Sequence, residues 1–217
     1  MNERVEAVRG LAVGPFRVSY LRTAAARLSM HRTVLVGRRF RIVGRRRIEV
    51  ADGARLRLGV NYYGFLTGHE WSIIRVRGRL RLLGNVTVAT GNRWDVGPES
   101  TVSVGARTYF SPDGLLVSNS GITIGSDCAI GWRVQLLDDD FHRHLAEGES
   151  EERGTAPDIT IGDRVWIGSH AQIYKGVRIA DGCIVAGGSV VTSSITEPGC
   201  LVGGVPAKII RRGVTWR

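Results

Sequence analysis

The chain concentrates its proton-transfer groups in one run, Asp138-Asp139-Asp140-Phe141-His142-Arg143-His144. Imidazole is the side chain whose ordinary pKa lies nearest neutrality, so a histidine here can take a proton from an attacking alcohol and pass it to a leaving group. His142 and His144 are the candidate bases, with Asp140 the carboxylate beside them. A lone surface histidine would mean little, but this run interrupts an otherwise strict repeat, and long loops on a rigid scaffold carry function more often than other segments. The cysteines offer no rival nucleophile. Cys128 and Cys183 fall at inward positions of the repeat, where a thiol is a small apolar filler, and with Cys200 they form neither a CxxC pair nor a secreted disulfide framework.

The repeat that must position this run has a period of six. Aliphatic residues stand at Ile161, Ile167, Ile173, Ile179, Val185 and Val191, with an earlier pair at Ile124 and Ile130. Four places after each comes another small or aliphatic residue: Cys128, Val134, Val165, Ala171, Val177, Cys183, Ser189 and Ile195. Gly or Ala usually follows the aliphatic, Tyr174 and Thr192 being exceptions. Six matches neither the helical period nor simple strand alternation, but short strands joined by tight corners turn the first and fifth places of each six inward, with glycine at the second place easing the corner. Three sixes then make one triangular coil, and stacked coils pair backbone to backbone around a shaft of Ile and Val.

Upstream the rhythm loosens into alternating pairs: Ile48 and Val50, Leu56 and Leu58, Leu80 and Leu82, Val86 and Val88, Val102 and Val104, and Ile122 and Ile124. These predict earlier, irregular coils separated by turns such as Gly91-Asn92 and Ser111-Pro112-Asp113-Gly114. The whole predicts an all-β parallel β-helix over residues 41–203, preceded by a cap segment 1–40 and followed by a tail 204–217. From Arg17 to Met30 a short cap helix is expected, with Val18, Leu21, Ala25 and Leu28 on one side. After Leu136 the register resumes only at Ile161, so a polar loop over residues 142–160 should project from the shaft.

Of 30 basic residues all but Lys175 and Lys208 are arginine, and the formal charge is +10. Guanidinium groups hold phosphate and carboxylate in paired hydrogen bonds, so acidic or phosphorylated partners suit this surface. The N-terminal basic segment could also rest on a membrane or other anionic surface. No apolar stretch approaches the roughly 18 residues of a membrane span and no signal segment is evident, which predicts a cytoplasmic protein, at most peripheral to the membrane's inner face.

Four motifs together resemble the hexapeptide acyltransferases, in particular the maltose, galactoside and xenobiotic acetyltransferase group and its polysaccharide O-acetyltransferase relatives. They are Asp140-Phe141-His142, Ile161-Gly-Asp-Arg-Val-Trp-Ile-Gly168, Val185-Ala-Gly-Gly-Ser-Val-Val-Thr192 and Gly203-Gly-Val-Pro-Ala-Lys208, spread over residues 120–212. The resemblance implies a left-handed β-helix, a homotrimer with active sites between subunits, and acetyl-CoA or another acyl-CoA as donor. It implies a carbohydrate hydroxyl as acceptor, with an amino sugar, serine or an antibiotic as alternatives. By position His142 matches the catalytic histidine and His144 is second choice. Trp166 and Ser169 match residues along the pantetheine arm, Gly187 and Thr192 the coil edge beside it, and Lys208 and Arg211 the basic residues near the nucleotide phosphates. Ser193 departs from the family, where lysine is common. Asp140 and Asn119 are the candidates for the acceptor-binding acid and asparagine.

Two other functions compete. A zinc enzyme similar to the γ-class carbonic anhydrases would need His142, His144 and His170, but His170 takes the outward fourth place of its six and the ligand spacing differs, so no metal site is expected. A scaffold binding nucleic acid through Arg38, Arg39, Arg41, Arg45, Arg46 and Arg47 lacks any accompanying RNA- or DNA-binding motif, so no specific nucleic acid is expected.

Overall fold

Alternation of buried and outward residues along short strands, such as Leu56–Leu58, Val86–Val88 and Thr101–Val104, builds three parallel sheets that meet as the sides of a triangular prism. The computed structural model describes residues 18–30, 33–60, 70–142 and 157–217. Among the described residues the first face has nine strands, from Val34–Val36 to Ala207–Arg211; the second has seven, from Phe40–Val43 to Val190–Val191; the third has six, from Ile48–Val50 to Arg178–Ile179. Each strand pairs in parallel with the equivalent strand one coil away, as Ala129↔Trp166↔Ile184 do on the first face. A closing hairpin, Leu201–Gly204 with Ala207–Arg211, pairs antiparallel. This is a parallel β-helix.

The inward places of the six-residue repeat are all buried, from Ile124 and Cys128 through Val191 and Ile195. Stacked one coil upon the next, they form a continuous apolar shaft, in which each fully buried Leu or Ile stabilises the fold by about 1.5–3 kcal/mol relative to exposure. The glycine at the second place has a different duty from the one its position suggests. Left-handed backbone falls at the fourth place, on Asp127, Arg133, Arg164 and His170 as well as Gly176, Gly182 and Gly188. At the second place what matters is clearance between coils: a Cβ on Gly168 would sit 2.5 Å from the Gly187 nitrogen.

Three boundaries differ from the sequence expectation. The stack already begins at Val34, whose strand pairs with Leu56–Leu58, inside the segment read as a cap. Chain beyond the insertion rejoins it at Ile159, paired with Ile122, earlier than Ile161. The tail is partly strand, since Ala207–Arg211 closes the first face. The cap helix α1 spans Tyr20–Ser29, with Ser19 as its N-cap accepting from the Arg22 N–H at 3.3 Å. Its packed side is Thr23 and Ala26, and Leu21 and Leu28 point outward. The reason is polar. The first coil leaves an open sheet edge, and α1 satisfies it through Arg22 to the Phe40 carbonyl (2.9 Å), Arg27 to the Val34 carbonyl (3.1 Å) and the Val36 N–H donating to Thr23 Oγ1 (3.0 Å).

Candidate active site

The second strand of each coil ends at a corner leading to the third face, and there the chain from Asp138 to His142 leaves the prism. Asp138 continues the inward alternation after Leu136 and is fully buried. Its carboxylate accepts four hydrogen bonds: from the Asn119 N–H (2.7 Å) on Oδ1, and from Ser118 Oγ (2.5 Å), the Gly121 N–H (2.8 Å) and the Ser120 N–H (3.2 Å) on Oδ2. Behind it Ser100 Oγ meets Ser118 Oγ at 2.6 Å. This buried network fixes the corner below, where Asn119 sits. Asn119 Nδ2 in turn donates to Asp139 Oδ2 (2.8 Å), and Asp139 Oδ1 accepts the Phe141 N–H (2.9 Å). Those two bonds, the Asn119 amide first, hold the Asp139 carboxyl below its ordinary pKa against the opposing effect of burial.

The turn closed by Asp139 sets Phe141 in left-handed backbone (φ 61°) and presents His142 to solvent. His142 Nδ1 lies 3.3 Å from the Asp140 carbonyl oxygen, a contact that favours the tautomer leaving Nε2 free to accept a proton. Asp140 pairs with Lys175, one coil further along the same corner. Thr192 stands at this corner in the last coil. Asn119, expected as an acceptor contact, donates its side-chain amide to Asp139. His144 and loop residues 143–156 lie outside the described residues.

The remaining expected donor contacts sit elsewhere on the prism. Trp166 projects outward from the first face. Ser169 and Gly187 stack at the corner between the first and second faces, where the Gly188 N–H donates to the Ser169 carbonyl (2.8 Å) and a Cβ on Gly187 would come within 3.0 Å of that oxygen. Lys208 and Arg211 are exposed on the closing hairpin of the first face. Thr192 therefore shares a corner with His142, whereas Trp166, Ser169, Gly187, Lys208 and Arg211 share the first face and its edge. In a prism the first face lies opposite the second-to-third corner, on the order of 15 Å away for sides of this strand length. One chain does not bring the two sets together.

Sequence reading missed Trp216. Its indole N–H donates to the Arg164 carbonyl (2.7 Å), and its ring lies 6.3 Å from that of Trp166, so the tail straps the outward tryptophan from one side. Of the histidines weighed for zinc, His170 holds a left-handed corner between the first and second faces with its N–H donating to the Trp132 carbonyl (2.7 Å), apart from the His142 corner of the same chain. No group of three metal-ligating side chains occurs among the described residues. The thiols are buried, and burial pushes Cys128 up to about 11.

The family model for the bacterial transferase hexapeptide (six repeats) matches residues 158–193. An uncharacterised 24.8 kDa protein in the cps region of Klebsiella pneumoniae is 34% identical over 191 residues, covering 88% of this chain and 84% of that protein. The chain belongs to the hexapeptide-repeat acyltransferase family. Its prism is the family's left-handed β-helix. Galactoside O-acetyltransferase of Escherichia coli (strain K12) is 35% identical over 112 residues, 52% of this chain and 54% of that enzyme, so the alignment spans about half of each. In fold, the chain resembles the crystal structure of a polysialic-acid-specific acetyltransferase, with a TM-score of 0.53 at 23% identity over 85% of this chain and 78% of that one.

Proposed function

We propose that this hexapeptide acyltransferase is an acetyl-CoA-dependent O-acetyltransferase that acts as a homotrimer on a sugar hydroxyl of a polysaccharide, glycolipid or saccharide precursor. The observation that carries this is the division of the prism into two half-sites. The corner bearing His142, Lys175 and Thr192 and the face bearing Trp166, Lys208 and Arg211 point in different directions, so a second copy is what would place one against the other. A cyclic trimer supplies that contact three times over. The aromatic face of Trp166 suits a pantetheine arm, and Lys208 and Arg211 suit nucleotide phosphates. The name of the galactoside relative supports a sugar hydroxyl as acceptor.

In this mechanism His142 takes the hydroxyl proton as the sugar oxygen bonds to the thioester carbonyl. Negative charge gathers on the carbonyl oxygen, where a backbone N–H is the donor the fold can offer, and collapse breaks the carbon–sulfur bond. The imidazolium then returns the proton to the departing thiolate of coenzyme A. No acyl-enzyme is needed, in keeping with buried, protonated thiols. The compartment of such a reaction is the cytoplasm, where acetyl-CoA is made.

The test offers acetyl-, succinyl- and longer acyl-CoA with a panel of glycans and reads products by mass spectrometry. Acetylated glycan is the expected product, and His142→Ala should lower the rate about a hundredfold or more with the oligomer mass unchanged. Near-normal turnover by that variant would remove His142 as base.

A further inference from the structure

The far end of the prism from the closing hairpin combines two features that the acetyl-transfer chemistry does not use. Helix α1 lies across the open edge of the first coil and turns its apolar side to solvent: Tyr20 is 76% exposed, Leu21 86% and Leu28 90%. Beside it Trp71 is 56% exposed, with the Arg22 guanidinium 5.7 Å from its ring. A helix added only to close a sheet edge would place its leucines inward, because burying them stabilises and exposing them gains nothing. This helix does the reverse, holding the edge with Arg22, Arg27 and Thr23 and leaving its apolar residues free.

The second feature is charge. The first coils around α1 carry exposed Arg38, Arg41, Arg46, Arg47, Arg55 and Arg57, and no described carboxylate forms an ion pair with any of them. Further along the prism several arginines are neutralised, Arg75 and Arg77 by Asp95, Arg79 and Arg81 by Glu49, and Arg107 by Asp127, whereas Arg93 and Arg178 are not among them. Six exposed arginines without a described ion-pair partner thus stand at the same end as the outward leucines and aromatics.

We propose that this end is a docking surface for an anionic lipid bilayer, with Tyr20, Leu21, Leu28 and Trp71 entering the headgroup and acyl boundary and the arginines meeting lipid phosphates. Leucine with Tyr and Trp on one side and arginine around them is the composition that lies in a membrane interface, and each basic residue near an anionic leaflet adds attraction that salt weakens. The surface stands on the N-terminal end alone and does not depend on the donor site. If the chain is the trimer proposed above, three parallel prisms present three such ends to one side, and simultaneous contact multiplies the affinity.

The full-length protein is sedimented with large vesicles of pure phosphatidylcholine and of phosphatidylcholine with phosphatidylglycerol. Binding to the anionic vesicles, reduced about tenfold or more by Leu21→Asp with Leu28→Asp and reduced by Arg46→Glu with Arg47→Glu, is the expected result. Because the leucines are exposed, the aspartate pair should keep the wild-type melting temperature, oligomer mass and turnover of a soluble acceptor. Absence of vesicle binding, binding unaffected by the aspartate pair, or a changed oligomer mass in that pair, which would make the face an interface between copies, each overturns the proposal. Failure of acetyl transfer with vesicle binding intact would instead count against the catalytic function alone.

Discussion

Replacing Asp138 by asparagine separates a structural carboxylate from a merely polar one. All four partners of Asp138 are donors, three on Oδ2 and one on Oδ1, and the side chain is shut off from water. An amide keeps the shape but puts an NH2 where one oxygen was, so whichever way it turns at least one N–H faces another donor. The loss combines a hydrogen bond to a charged group, about 1.5–3 kcal/mol, with the cost of a buried unsatisfied donor, about 1–3 kcal/mol. Partial relaxation of the corner brings the sum to roughly 2–4 kcal/mol, which for a chain of this size lowers Tm by roughly 5–15 °C. The measurement is thermal melting by circular dichroism at neutral pH, with Ser100→Ala as a control that should cost about 1 kcal/mol. Asp138→Asn should also slow turnover, because the Asn119 and Asp139 bonds that set the Phe141 turn are built on this corner. A Tm within about 2 °C of wild type would refute the network as the organiser of the histidine turn.

The Asp139 carboxyl is held low by Asn119 and the Phe141 N–H. Its contribution is therefore present above the unfolded pKa and lost as pH falls through the lower folded one; chemical shifts of Phe141 and His142 should report release of the turn only on acidification below about pH 4. Asn119→Ala should move that release to higher pH. For Trp216, substitution by Ala removes the strap beside Trp166 and should raise KM for acetyl-CoA several-fold, about 1 kcal/mol of lost packing, with kcat little changed. A fall in kcat at unchanged KM would place Trp216 outside donor binding.

Much of the architecture was legible because packing geometry leaves a strict trace. Positions such as Ile167 and Cys183 must face the shaft in every coil, and a period of six has few alternative structures. The alternation Leu136 inward, Leu137 outward even marks Asp138 as inward, a signal lost when the three aspartates are taken as one acidic run. The cap helix itself was legible, but apolar periodicity shows which residues share a side and not which way that side faces. Here the open strand edge recruited Arg22, Arg27 and Thr23, and backbone satisfaction outweighed leucine burial. Trp216 lies beyond the repeat and has no periodic signal, so only the folded tail reveals its contact with Trp166. The role of glycine at the second place was equally hidden, since a sequence does not show that a Cβ on Gly168 would meet the Gly187 nitrogen of the next coil at 2.5 Å.

The central claim, that one chain's His142 works against another chain's Trp166, is tested by mixing. His142→Ala and Trp166→Ala chains, each weakly active alone, are unfolded together, refolded in equal amounts and assayed at low acetyl-CoA. In random trimers with sites between neighbours, about one site in four joins an intact His142 to an intact Trp166, so activity should return to about a quarter of wild type. If both residues serve the same site from one chain, no site is restored and the mixture stays as inactive as its parents, which would contradict the account.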